Sequence, residues 1–233
     1  AMLKILGVSD FDRYMTAIPG GMEFMQDGGN SEAVAVWLGL CKEEIETQNK
    51  DLSDTQYSRE LLESSLGRLK KIALNPDVNG SIKSARKFLN RCGVYLVEHE
   101  AISNAKVRGV LTTYLGHPAI FISKRYKTHD HVWFTVVHEL AHLLFHYDPK
   151  QQIVSMEELA SEEHKDEEAN AFARRFFVDL DEYESFVAAG HFTEGRIREF
   201  SSSQRVDPGI TVGFLQHDGC IGFDAFSNLK SAC

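Results

Sequence analysis

The chain has 233 residues, of which 43% are hydrophobic and 25% are charged, and its formal net charge is −9 with a pI near 5.6. A chain of this length can bury one hydrophobic core, or one core with a helical appendage. The acidic balance disfavours nonspecific attraction to nucleic-acid phosphate. No apolar stretch reaches the roughly 18 residues of a membrane span, and no signal-peptide pattern is present. We therefore expect a cytoplasmic protein.

The N-terminal third has helical patterns. Apolar residues recur with helical spacing over residues 31–48, 54–74 and 81–91, and polar breaks separate these segments. We therefore predict a helical N-terminal subdomain over residues 1–91, with a glycine-rich loop at residues 20–30. A cluster of basic residues in this part favours a solvated face over a nucleic-acid surface. Its members are Arg68, Lys70, Lys71, Lys83, Arg86, Lys87 and Arg91.

A small sheet is predicted next. The runs at 93–100, 107–115 and 118–124 are rich in β-branched and aromatic residues, and turn residues separate them. The four cysteines of the chain are scattered and form no CxxC pair. This pattern argues against a disulfide framework and against a thiolate zinc site.

The stretch from residue 132 to 145 predicts a helix that is apolar on most sides. Four polar residues of this stretch, together with the residue that follows it, lie within a stripe about 100° wide on such a helix. They are Thr135, His138, Glu139, His142 and His146. Five polar side chains along one line of a buried helix imply a shared partner or cavity, because an unpaired buried polar group costs about 1–3 kcal/mol.

Three of these residues form an HExxH motif. The spacing of His138 and His142 lets both imidazoles reach one metal ion at about 2.0–2.1 Å. Glu139 then points beside the metal, where it can accept a proton from a water that the metal activates. The alternative is a helix whose histidines bond to buried carbonyl groups. For His146 we weigh a supporting role behind a ligand, a structural role and simple exposure, and we favour the structural role.

A tetrahedral zinc site needs a third protein ligand. Residues 162–178 predict a second helix, and its first turns are acidic. Asp166 lies about 60–70° from the centre of the apolar face, Glu168 about 90° away on the other side, and Glu167 nearly opposite. Asp166 is therefore the best geometric candidate, although the helix dipole favours acidic first turns whatever their function. The apolar face consists of Ala169, Phe172, Ala173 and Phe176.

Two short C-terminal helices are predicted at residues 193–204 and 207–217. Pro208 and Gly209 suit the start of the second helix. We assign both helices to packing.

Three segments, in this order, carry a resemblance to a known family: YKTHDHVWFTVVHELAHLLFH, EEANAFARRFF and IREFSSSQRVDPGITVGFLQHDG. Over residues 92–217 the chain resembles ImmA/IrrE-type zinc metallopeptidase domains. The resemblance is to the branch in which this domain is fused to a helix-turn-helix in HigA-like antitoxins and Xre-type regulators. It implies an α+β fold, with a zincin-like metallopeptidase domain at residues 92–233 that follows the helical subdomain.

The resemblance also implies a Zn²⁺ ion held by His138, His142 and an acid on the second helix. The family usually has Glu where this chain has Asp166, and the loss of one methylene shortens the reach by roughly 1.5 Å. Three alternatives follow: the second helix lies closer, a water bridges the gap, or the site is weakened or empty. In zincins an edge strand beside the metal helix often holds an extended substrate. The segment 107–124 is a candidate for that edge, and a sheet that only covers the helix fits the pattern equally well.

Two functional classes follow. The first is a zinc-dependent endopeptidase of a bacterial or phage regulatory system that cleaves a partner repressor or regulator, as several family members do to release stress-response or mobile-element genes. Intact Glu139 favours this class. The second is a non-catalytic antitoxin or transcription-regulator module that binds a protein partner, such as a repressor, regulator or toxin, or a ligand. Asp166 favours the second class.

Direct regulation of DNA would require a further module. Residues 1–91 contain no helix-turn-helix pattern. We therefore expect contact with nucleic acid only through an upstream DNA-binding module of a longer parent protein.

Overall fold

The computed structural model describes residues 31–125, 127–156 and 163–232. Over these residues the chain has an α+β fold of nine helices and one four-stranded sheet, which confirms the predicted fold class. Within the same ranges no helix is long and apolar enough to cross a membrane. The helices are α1 (Ser31–Gln48), α2 (Arg59–Ser64), α3 (Leu66–Ala73), α4 (Val78–Arg91), α5 (His129–Phe145), α6 (Glu163–Phe177), α7 (Leu180–Ala189), α8 (Glu194–Gln204) and α9 (Pro208–His217). The strands are β1 (Tyr95–His99), β2 (Val107–Tyr114), β3 (His117–Ser123) and β4 (Ile153–Met156).

The sheet has the strand order β1-β3-β2-β4. Strand β1 runs parallel to β3, while β2 is antiparallel to both β3 and β4. Leu115 and Gly116 connect β2 to β3 with φ angles of 46° and 83°. Positive φ at both central residues is the signature of the tight hairpin turn whose twist matches that of the strands.

Of the two alternatives for residues 107–124, the free edge is wrong. Strand β2 is paired on both sides, and β3 lies between β1 and β2. The edge beside β2 is instead β4, a strand that the sequence analysis did not predict. Its four residues are too few to show an alternating pattern of their own, and their pairing partner lies far away in the chain.

Period-two alternation in the strands separates two hydrophobic clusters. Tyr95, Val97 and Phe121 face one side of the sheet, whereas Leu96 and Ile120 face the other. Helix α1 covers the first side with residues that are fully or almost fully buried. They are Val34, Trp37, Leu38, Cys41 and Ile45.

A buried arginine ties the N-terminal helices to the sheet. Arg86 of α4 donates from Nε to the carbonyl oxygen of Leu96 at 2.9 Å and from Nη2 to Gln48 Oε1 at 2.8 Å. The same Nη2 lies 3.2 Å from Glu98 Oε1. These contacts join α1, α4 and β1, because Gln48 ends α1 and both Leu96 and Glu98 belong to β1.

The second side of the sheet holds α5, which packs against α4, α6 and the C-terminal helices in the larger cluster. Trp133 of α5 is fully buried and donates its indole N–H to Ser81 Oγ of α4 at 3.0 Å. Helix α5 begins at His129, three residues before the predicted start, and ends at Phe145 as predicted. The side chain of Phe145, at the end of this helix, is 42% exposed.

Most predicted helices are present, with altered limits. The segment 54–74 forms two helices, because the chain breaks at Ser65, and α4 begins before residue 81. Helix α7 was not predicted. It begins after Asp179, whose carboxylate accepts a hydrogen bond from the backbone N–H of Glu182 at 3.0 Å. The loop predicted at residues 20–30 lies outside the described residues, and the division into 1–91 and 92–233 stays a prediction.

Candidate metal centre

The HExxH motif lies in the middle of α5, where the helix is most deeply buried. His138 is 8% exposed, and Glu139 and His142 are fully buried. Because the two histidines are one helical turn apart, their rings meet on one face, and their Nε2 atoms lie 3.0 Å from each other. The imidazoles therefore point to a common position and not to separate backbone carbonyls.

Helix α6 brings Asp166 to the same position. The helix packs against α5 through the fully buried Ala169 and Ala173, whose small side chains allow a close approach. Phe172 and Phe176 of the predicted apolar face are half-buried against the core, while Phe177 is buried within it. Asp166 Oδ1 lies 3.6 Å from His138 Nε2 and 3.2 Å from His142 Nε2.

The spacing of these three atoms fits a tetrahedral metal ion. Zinc bonds of about 2.0–2.1 Å at tetrahedral angles separate neighbouring ligand atoms by about 3.3 Å. The three separations of 3.0, 3.2 and 3.6 Å are close to that value. His138, His142 and Asp166 can therefore hold a metal ion between them without a bridging water, and Asp166 reaches the site despite its shorter side chain.

The electrostatics of Asp166 suit a ligand. Burial opposes ionisation of its carboxyl group, but the neighbouring imidazoles of His138 and His142 outweigh the burial. The net effect holds the pKa of Asp166 well below its usual range. The carboxylate is therefore ionised at neutral pH, as metal coordination requires.

Glu139 is in an unusual environment for a carboxylate. Neither of its oxygens has a hydrogen-bond partner among the described residues, and the Ser155 hydroxyl of β4 also has none. Burial raises the pKa of Glu139, an effect that the neighbouring His142 and His138 only partly oppose. Buried polar atoms without a protein partner call for water or a ligand, so this arrangement fits a site that binds a water molecule beside the metal position.

The outer nitrogens of both histidines are also engaged. His138 Nδ1 lies 2.9 Å from Asn170 Oδ1, and His142 Nδ1 lies 3.1 Å from His146 Nδ1. His146 Nε2 in turn lies 3.0 Å from Glu168 Oε2. Of the three roles considered for His146, this contact fits the supporting role, because His146 lies behind His142, which is a candidate metal ligand.

The two other candidate acids, Glu167 and Glu168, lie outside this group of possible ligands. Glu168 contacts His146 and not the inner nitrogens of the other histidines, and Glu167 is exposed. Sequence reasoning missed Asn170. A signal was available, because a residue four positions after Asp166 shares its helix face.

Together these features define a class. A small mixed sheet with an HExxH helix against one face, and an acid supplied by the next helix, is the arrangement of a zincin-like metallopeptidase domain. Residues 90–200 match the family model of the IrrE N-terminal-like domain, Peptidase_M78. This match confirms the ImmA/IrrE-type resemblance for that segment and supports a peptidase-like domain there. A search of curated proteins found no match to the chain.

Proposed function

We propose that this protein is a zinc-dependent endopeptidase that cleaves a partner protein of a regulatory system. The observation that carries the proposal is the convergence of His138, His142 and Asp166 at tetrahedral spacing beside the buried, unpartnered carboxylate of Glu139. A zinc ion held by these residues supplies a Lewis acid that lowers the pKa of bound water to about 7 and polarises a carbonyl group.

In this proposal Glu139 is the general base. Its carboxylate oxygens have no other hydrogen-bond partner within the described chain, so they are available to accept a proton from the attacking water. The raised pKa of Glu139 brings it closer to the range in which a base can take that proton and then return it to the leaving amine. A metal site with a purely structural role has no use for such a group.

Strand β4 favours an extended polypeptide as the substrate. Ser155 of β4 pairs with Gly109 of β2, and Gly109 lies against Glu139. No described strand covers the outer side of β4. An extended peptide that pairs with this side by main-chain hydrogen bonds would pass beside Glu139. Regulatory partners, namely a repressor, regulator or toxin, are proposed from the resemblance to HigA-like and Xre-type proteins.

The test combines metal analysis with cleavage. Purified wild-type protein is analysed for zinc, and then incubated with a peptide library and with candidate repressor and toxin proteins, with cleavage sites found by mass spectrometry. Glu139→Gln keeps the shape of the side chain and removes the base, so we expect it to retain zinc and lose about 10²–10⁴-fold in cleavage rate. Glu167→Gln makes the same chemical change at an exposed position and should match the wild type.

Two results would contradict the proposal. Wild-type protein that carries no zinc after expression in zinc-supplemented medium would remove its basis. Zinc-loaded protein that binds a partner but leaves it intact would favour the non-catalytic antitoxin or regulator module.

A further inference from the structure

The inner and outer nitrogens of the two HExxH histidines have different surroundings. Both Nε2 atoms face the metal position, while both Nδ1 atoms contact side chains that cannot themselves reach it. An imidazole binds a metal through a lone pair, and the hydrogen bond of its other nitrogen decides which nitrogen carries that lone pair. The outer contacts therefore bear directly on metal binding.

We propose that Asn170 and the pair formed by His146 and Glu168 are positioning residues that fix both imidazoles in the metal-binding tautomer and orientation. This proposal rests on the proposed metal site. It assigns no contact with metal or substrate to these three residues, which act through His138 and His142.

The contact of Asn170 determines the tautomer of His138. The amide oxygen of Asn170 can only accept a hydrogen bond, so His138 Nδ1 at 2.9 Å must carry the hydrogen. His138 Nε2 is then left with its lone pair and points to the metal position. The same contact fixes the plane of the ring, because rotation about the Cβ–Cγ bond would break it.

The contact between His142 and His146 permits only one hydrogen between their Nδ1 atoms at 3.1 Å. Since His142 Nε2 must keep its lone pair for a metal, the shared hydrogen belongs to His142. His146 Nδ1 therefore accepts, and His146 carries its own hydrogen on Nε2, which donates to Glu168 Oε2 at 3.0 Å. The carboxylate thus determines the tautomer of His146, and His146 determines that of His142.

Helix α6 supplies the last side chain of both hydrogen-bonded groups. Asn170 ends the group that begins at His138, and Glu168 ends the group that begins at His142. Asp166, Glu168 and Asn170 all lie on this helix, while the three histidines lie on or directly after α5. The packing of α6 against α5 therefore brings the acidic ligand Asp166 and the side chains of Asn170 and Glu168 to the histidines. Loss of such an orienting group typically weakens metal affinity by about 10–100-fold.

The experiment measures zinc affinity by competition with a chromophoric chelator. The full chain is used, and thermal unfolding of each zinc-free variant serves as a check of folding. For Asn170→Leu and for His146→Leu we expect zinc binding about 10–100-fold weaker than in the wild type, and for Glu168→Leu a smaller loss. Glu167→Leu, at the exposed neighbouring position on the same helix, should bind zinc as the wild type does.

Conservative variants separate orientation from loss of packing. Asn170→Asp keeps an oxygen that can accept the hydrogen bond from His138, and His146→Gln keeps one for His142. We therefore expect both variants to recover most of the zinc affinity. In nitrogen-15 NMR spectra of the zinc-loaded wild type, His146 should show the Nε2–H tautomer, and His138 and His142 the Nδ1–H tautomer. Asn170 and Glu168 are exposed, so their variants stay informative even if the His146 variants fail to fold.

The outcomes distinguish this assignment from the proposed function. Wild-type protein that binds no zinc overturns both. Wild-type protein that binds zinc, with equal affinity in all the leucine variants or with His146 as the Nδ1–H tautomer, overturns only the assignment of the positioning residues.

Discussion

A Cβ atom added at Gly109 would overlap Oε1 of Glu139. The backbone of β2 therefore lies directly on the carboxylate that we propose as the general base. The φ angle of Gly109 is not positive, so this glycine serves the close approach of two groups and not an unusual backbone conformation. Strand β2 also has an irregular register with β4 between Val107 and Gly109.

For Gly109→Ala we expect loss of peptidase activity with zinc binding retained. The atoms that the new methyl group would meet belong to the side chain of Glu139, which can move more easily than the backbone. The carboxylate is therefore displaced, while His138 and His142 stay in place. The loss of stability should not exceed the roughly 1–3 kcal/mol of an overpacked core.

The measurements for Gly109→Ala are cleavage rate, zinc content and urea denaturation. Gly67→Ala serves as the control, because nothing lies within 4 Å of a Cβ added at this exposed helical position and its φ angle is not positive, and it should leave cleavage and zinc unchanged. Full activity in Gly109→Ala would show that Glu139 does not need this position.

Substitutions of Asp166 test whether its short side chain is a compromised ligand. Asp166→Asn keeps the shape of the side chain and removes its charge. We expect zinc affinity to fall by more than the roughly 100-fold that the loss of a residue orienting a ligand can cause. Asp166→Glu adds a methylene where Oδ1 already lies 3.2 and 3.6 Å from the two nitrogens, so we expect affinity below wild type and above Asp166→Asn. Chelator competition measures both, and tighter binding by Asp166→Glu would show that the aspartate fits poorly.

Local periodicity explains what the sequence could predict. The helix that carries His138 and His142 could be predicted from the spacing of its own residues, and so could the helix face that carries Asp166. The structure brings these three side chains together. Their assignment as ligands stays a prediction. Strand β4 was missed because a four-residue strand takes its identity from pairing with β2.

Tertiary contacts explain what the sequence could not predict. Gly109 stands in a predicted strand, where a glycine signals a close approach, but only the packing of β2 on α5 shows that Glu139 is the approaching group. For the same reason His146 was left with three roles. Its contact with Glu168 depends on the distance between α5 and α6, which no pattern within one helix contains.

A buried ion pair at the start of α5 predicts a pH-dependent stability. Lys230 Nζ lies 2.7 Å from Asp130 Oδ2. Burial opposes ionisation of Asp130, but His131 and Lys230 outweigh it and lower its pKa from 3.8 to about 2. Because the folded-state pKa is the lower one, the pair stabilises the protein above the unfolded pKa. This contribution is lost as the pH falls through the folded pKa.

For Asp130→Asn we therefore expect a loss of about 2 kcal/mol in the free energy of unfolding at pH 7, and more if Lys230 stays buried without its partner. The difference from wild type should narrow as the pH falls below 4 towards 2.5. Urea denaturation across this pH range measures it, with Asp54→Asn at an exposed position as the control. A loss that is the same at every pH would mean that the ion pair is not its origin.

Trp37 tests how far α1 contributes to the stability of the sheet. Its side chain is fully buried in the cluster that contains Tyr95, Val97 and Phe121 of the strands. For Trp37→Ala we expect a loss of about 3–5 kcal/mol, because the cavity would lie between the helix and the sheet. Leu115→Ala is the control, since this side chain is 75% exposed and its loss should cost almost nothing.

The comparison of two probes decides whether α1 and the sheet unfold together. Far-ultraviolet circular dichroism follows all helices, while release of zinc follows the packing of α5 on α6. If α1 is an integral cover of the sheet, both transitions shift to lower urea concentration by the same amount in Trp37→Ala. A shift in the circular dichroism transition alone would mean that α1 detaches before the metal centre opens, as expected for an independent N-terminal subdomain.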